Sequence, residues 1–290
     1  MTKPRISKIG ILTTTILAIP AISFAGTPVK EAKTIVEKTK ESCITGDIGI
    51  DVYSQYVFHG LTLENQGAIL QPYADFSFKL YGGDGALNTV ALNLGIWNSF
   101  HSNHTVASTT RGWYEFDFLA GMSFTFLKNL TFSPTYVYYS SPGDYFLSSH
   151  NLRLQLAYND KDLLGAFSLQ PYALVEFELD GKSGNGSSEG VYYEVGIAPG
   201  LAAGPVSLAF PIKVGLGSSD YYLDNRGYGF FSAGVTASYA LKTLPECLGA
   251  WTVTAGATYF NYGTPNQAAN SIKDDRKNDV VFNGGLKVAF

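Results

Sequence analysis

His101-Ser-Asn-His104 is the densest grouping of chemically capable side chains in this 290-residue sequence, two imidazoles three residues apart with a serine between them. Two chemistries use such parts. A metal ion accepts imidazole nitrogen, but a pair on one loop with no obvious third ligand falls short of a tetrahedral set. A membrane lipid hydrolase needs a serine, a histidine and a polar orienter, and nothing in the chain fixes nucleophile and base on adjoining elements. The spacing therefore predicts a polar loop without metal, cofactor or catalysis, and lipid hydrolysis stands as an alternative. The glycine-rich runs starting at Gly82 and Gly181 read as turns, not as phosphate-binding loops.

A second set of chemically capable side chains is spread along the chain at constant phase. Read with period two, Asp51, Asp75, Glu115, Asp117, Glu176, Glu178 and Glu194 fall on one face of their segments, as do Lys79, Arg153, Lys213 and Lys287. Tyr53, Tyr73, Trp113, Tyr139, Tyr172 and Tyr192 share that face. On a lipid-facing surface each Lys or Arg would cost about 2–4 kcal/mol near the membrane midplane, so the common phase predicts an inward, lumen-lining face. Such a lumen is either open, leaning towards cations because acids outnumber bases, or filled by cross-strand pairs and aromatic bulk.

The elements that must position these residues are strands. Alternation recurs over 47 to 58, 70 to 80, 88 to 99, 113 to 127, 130 to 140, 147 to 158, 164 to 179, 190 to 202, 205 to 217, 227 to 241, 250 to 262 and 279 to 290. Ile48, Ile50, Val52, Tyr56 and Phe58 are expected to face lipid in the first. The last ends on an aromatic, Phe290, with Val280, Phe282, Leu286 and Val288 on its apolar face, the pattern of an outer-membrane assembly signal. About twelve strands of membrane-crossing length predict an all-β transmembrane antiparallel up-and-down barrel with both termini periplasmic. Connections alternate between short turns and longer outer loops in the matching phase. Pro72, Pro134, Pro171, Pro199 and Pro211 fall inside expected strands and leave ten or fourteen open. A soluble sandwich would also alternate, but it would hide its aromatic face against a second sheet.

Lys3, Arg5 and Lys8, the apolar stretch from Ile9 to Phe24, and Ser23-Phe24-Ala25 predict a signal peptide over 1–25. Residues 26–46 read as a periplasmic leader, a short amphipathic helix or a plug, and 47–290 as the barrel. Nineteen Tyr, nineteen Phe and thirty-one Gly suit interfacial girdles and tight strands. A net charge of −4 without a basic run argues against nucleic acid. Cys43 and Cys247 fall near one rim, two strands apart in a closed barrel, where they are either a disulfide or two free thiols.

Asp51-Val-Tyr-Ser-Gln-Tyr-Val-Phe-His-Gly60, followed by Leu61-Thr, resembles the strand-one element of the bacterial exported family known as Gcw_chp, with His59 where that family usually has arginine. The resemblance covers the first two strands and implies an outer-membrane barrel, without an activity or site residues. The expected partners are outer-membrane lipid and lipopolysaccharide, the barrel assembly machinery and small solutes. The expected function is a porin-like channel, against a structural or surface-binding barrel with a packed lumen.

Overall fold

The computed structural model describes residues 42–103, 112–223, 227–264, 266 and 276–290. The expected signal peptide, the leader up to residue 41 and His104 lie outside the described residues. The strands are β1 (Ile44–Tyr53), β2 (Tyr56–Phe58), β3 (Leu61–Glu64), β4 (Ile69–Gly82), β5 (Leu87–His101), β6 (Gly112–Phe126), β7 (Leu130–Ser140) and β8 (Ser149–Tyr158). A short helix α1 (Lys161–Leu164) and a 3₁₀ turn (Gly165–Phe167) precede β9 (Tyr172–Asp180) and β10 (Val191–Ile197). The chain continues through β11 (Gly200–Ala203), β12 (Val206–Ala209), β13 (Ile212–Gly217), β14 (Tyr228–Ala240), β15 (Ala250–Tyr262) and β16 (Asn278–Ala289).

Among the described residues, fourteen of these segments form one sheet that closes on itself. β10 with β11, and β12 with β13, are halves of single crossings, so the protein is a closed antiparallel barrel of twelve strands. Both breaks fall at prolines, as a missing N–H requires. The carbonyls keep the wall bonded across them, Pro199 O accepting from Phe210 N at 2.8 Å and Pro211 O from Gly234 N at 2.9 Å. Pro72 and Pro134 sit inside unbroken strands instead. Side chains alternate as expected: in β4, Ile69, Gln71 and Tyr73 are buried and Leu70 between them is exposed towards lipid.

The last strand closes on the first, in register from Asp47 opposite Ala289 to Tyr53 opposite Asn283. Phe290 N donates to Gly46 O at 3.0 Å, and Gly46 N donates to Phe290 O at 2.9 Å. The terminal ring lies over Gly46, where a Cβ would come within 2.9 Å of its Cζ. Ile44 and Phe290 thus share one rim, the terminal rim, and the opposite end is the far rim. Cys43 and Cys247 also lie at the terminal rim, but as free, exposed thiols, so the disulfide weighed from the sequence is not formed.

The strand expected over 164–179 begins only at Tyr172. Asp160 accepts hydrogen bonds from Ser168 Oγ at 2.7 Å, Leu169 N at 2.9 Å and Gln170 N at 2.9 Å, which folds the stretch into the helix and 3₁₀ turn. Burial raises the affinity of this carboxyl for a proton, but the three hydrogen bonds outweigh it and hold the group below the usual carboxylate range. Its stabilisation is present above the ordinary carboxylate pKa and is lost as pH falls through the depressed one. Asp160→Ala is expected to cost about 1–3 kcal/mol at neutral pH. Urea unfolding of the two proteins should converge in acid once the carboxyl is protonated in both states, and a mutant gap that persists there would refute this role for the carboxylate.

Candidate functional site

The largest departure from strand-by-strand expectation occurs after Tyr53. Tyr56 and Phe58 do not face lipid: the chain leaves the wall and forms the β2–β3 hairpin, whose strand residues Tyr56, Val57 and Phe58 are all buried. His59 and Gly60 have φ of 47° and 83°, so Phe58 pairs with Leu61 across a two-residue turn with both central residues left-handed. A Cβ on Gly60 would meet Asn266 Nδ2 at 2.6 Å and Phe230 Cδ1 at 2.7 Å, so a glycine is required there twice over.

Contacts of the hairpin place it across the bore near the far rim. Tyr56 Oη donates to Glu115 Oε2 of β6 at 2.8 Å, and its ring lies 5.5 Å from Trp97 of β5. Phe58 meets Tyr139 of β7 edge-on at 5.4 Å. His59 stacks on Tyr192 of β10 at 3.7 Å, with 7° between the planes. Thr62 Oγ1 donates to Tyr262 Oη of β15 at 3.3 Å. With Tyr221, Tyr222, Phe230 and Phe260, the Tyr56, Phe58, Trp97, Tyr139, Tyr192 and Tyr262 rings belong to one buried hydrophobic cluster in the far half of the barrel.

Beneath the hairpin the wall is uneven. On β7 to β10 the inward side chains are buried through the middle of the strands, including Tyr172, Glu176, Glu178 and Glu194. Two polar nodes hold this side together. Arg153 Nε donates to Glu176 Oε2 at 2.7 Å and Arg153 Nη2 to Tyr139 Oη at 2.8 Å. Tyr139 Oη at 2.9 Å and Asn151 Nδ2 at 2.8 Å donate in turn to Glu176 Oε1. In the second node, Glu194 accepts from Tyr172 Oη at 2.7 Å and Tyr192 Oη at 2.6 Å, with Lys213 Nζ 3.3 Å away. Buried charges survive only when paired and hydrogen-bonded, and both nodes meet that condition.

On the opposite side the inward residues are small or polar and half-buried: Asp47, Gly49 and Asp51 of β1, Thr254, Gly256 and Thr258 of β15, and Asn283, Gly285 and Lys287 of β16. Asp75 and Lys79 of β4 are half-buried as well, whereas Tyr53 and Tyr73 are buried. The candidate lining residues are thus divided between a packed wall and a wettable strip. Glu115 and Asp117 sit at the packed edge, both buried. Glu178 serves a loop instead, because its carboxylate accepts from the N–H groups of Ser183, Gly184 and Gly190 and orders the connection over 181–190.

Trp113 does not point inward as its phase suggested. Ser99 pairs with Glu115 but Phe100 with Trp113, so Tyr114 is an extra residue that flips the phase, and Trp113 stacks on outward Phe100 at 5.7 Å. His101 Nε2 lies 2.9 Å from Ser99 Oγ, a nucleophile-to-base distance, but Ser99 is 0% exposed and no substrate reaches it. His150 faces outward from β8 beside Tyr136. Among the described residues no His, Cys, Asp and Glu group could hold a metal ion. The hairpin is the structural element that alternation missed. Its sequence signal is His59-Gly60 flanked by Tyr56-Val-Phe and Leu61-Thr-Leu, a two-residue turn between short apolar runs.

No family model and no curated protein matches the chain. Solved structures do. An outer-membrane channel from Pseudomonas putida F1 has a TM-score of 0.52 at 14% identity, covering 90% of this chain and 100% of that one. The NanC porin has a TM-score of 0.49 at 8% identity, covering 84% of this chain and 98% of that one. The Pseudomonas putida likeness is one of fold: this chain folds as a closed β-barrel similar to that of an outer-membrane channel.

Proposed function

We propose that the protein resides in the bacterial outer membrane, with its terminal rim in the periplasm, and lets small solutes cross passively, the β2–β3 hairpin setting the aperture. The wettable strip carries this reading: half-buried Gly, Thr, Asn, Asp and Lys side chains run along β15, β16 and β1 through the membrane-spanning zone. A barrel built only as a scaffold has no need of that face. Passive passage requires no catalytic group. The packed far half favours a second reading, a structural barrel with a filled lumen.

Planar-bilayer recording separates the two. A variant with residues 55 to 66 replaced by a Gly/Ser linker should conduct steadily, and silence from correctly folded, heat-modifiable protein would establish the filled barrel instead. Along the strip carboxylates outnumber ammonium groups, with Asp47, Asp51 and Asp75 on one side of the count and Lys79 and Lys287 on the other, while the packed wall carries the Arg153–Glu176 and Lys213–Glu194 pairs. Cations are therefore favoured. In a KCl gradient, Asp51→Asn with Asp75→Asn should lower the cation-to-anion permeability ratio of the hairpin-less variant severalfold. An unchanged reversal potential would exclude these carboxylates from the path.

A further inference from the structure

We propose that the β2–β3 hairpin is a displaceable stopper latched by the His59 imidazole, and that proton uptake by His59 releases it. The proposal rests on the channel reading above. The hairpin's own ladder is three residue pairs with a register shift, too little to persist alone in water. It is held by what it touches across the bore, and it hangs from two connections, the second containing Gly67 at φ 73°.

Part of that hold is at the tip. The imidazole lies between two rings, Phe58 at 3.9 Å and Tyr192 at 3.7 Å, and its Nδ1 is 2.5 Å from Tyr221 Oη. Tyr222 Oη donates to the His59 carbonyl at 2.7 Å. Tyr221 and Tyr222 come from the connection after β13, so the latch spans elements that the barrel wall alone does not join to the hairpin.

Four charges face this ring, Arg153 from β8, Glu176 from β9, Glu194 from β10 and Lys213 from β13. They oppose one another in pairs, so burial decides, and it pushes the imidazole down to about 4. A released His59 in water would titrate near its ordinary value of 6.5. The inserted state is therefore favoured above pH 6.5 and loses ground as pH falls towards 4. Between pH 7.5 and 4.5 the balance shifts towards release on the order of a hundredfold.

The test is single-channel recording on full-length, refolded protein at those two pH values. Wild type should be mostly shut at pH 7.5 and open far more often at 4.5. His59→Phe, which keeps a flat ring but takes no proton, should stay shut at both, and His59→Ala should open at 7.5. Equal wild-type opening at the two pH values, or acid opening of His59→Phe like that of wild type, would overturn the latch. The hairpin-less variant tells the two failures apart: if it conducts, the latch alone is wrong, and if it too is silent, the channel reading falls with it.

Discussion

Arg153→Ala is expected to destabilise the barrel by about 3–5 kcal/mol, the usual consequence of removing one partner from a buried ion pair. The guanidinium is 2% exposed and Glu176 is 0% exposed, so no water replaces the lost donors. The carboxylate would keep Tyr139 and Asn151 but lose the charge that compensates it. An apolar pair should do much better, because it removes both desolvation penalties together: Arg153→Met with Glu176→Leu is expected to recover most of the loss. Thermal loss of the heat-modifiable gel band reads both. A single mutant within about 0.5 kcal/mol of wild type would mean that the node contributes no more than a surface pair.

Glu178→Ala should act as strongly, but locally. Its two oxygens accept from Ser183 N at 2.5 Å, Gly184 N at 2.7 Å, Gly190 N at 2.6 Å and Ser183 Oγ at 2.9 Å. Each buried donor left without an acceptor costs about 1–3 kcal/mol, and three are backbone groups with no rotamer to escape through. The strands on either side keep their ladders, so the barrel should still form while the 181–190 connection opens. Limited proteolysis should cut there many times faster than in wild type, with Glu178→Gln between the two. Equal cleavage rates would show that the connection is held by something else. Tyr221 packs against Gly184, Gly186 and Gly190, so the same change should loosen the partner of His59 Nδ1.

How far the sequence reads depends on whether an interaction is local. Strand existence followed from period two because each inward or outward choice is decided residue by residue against lipid or lumen. β7 and β15 fall on their expected bounds for that reason. Alternation failed where the backbone does something that a side-chain pattern does not encode. The Tyr114 bulge reverses Trp113, and the hydrogen bonds to Asp160 replace the start of β9 with a helix. The hairpin was missed for a deeper reason: Tyr56 and Phe58 have the phase of lipid-facing residues, and only partners far along the chain, Trp97 for Tyr56 and Tyr139 for Phe58, draw them inward. The division of charged residues into a packed wall and a wettable strip has the same origin, since pairs such as Arg153 with Glu176 become neighbours only through strand register.

The hairpin grows from the end of β1, the strand that meets β16 to shut the cylinder. Its tip touches β7, β10 and β14, so these contacts cannot exist while the sheet is still an open ribbon. Its full set of contacts is complete only once the sheet has curled into a cylinder. Contacts between residues so far apart in sequence carry a large loop-closure cost, so the hairpin belongs to the slow-forming part of the fold.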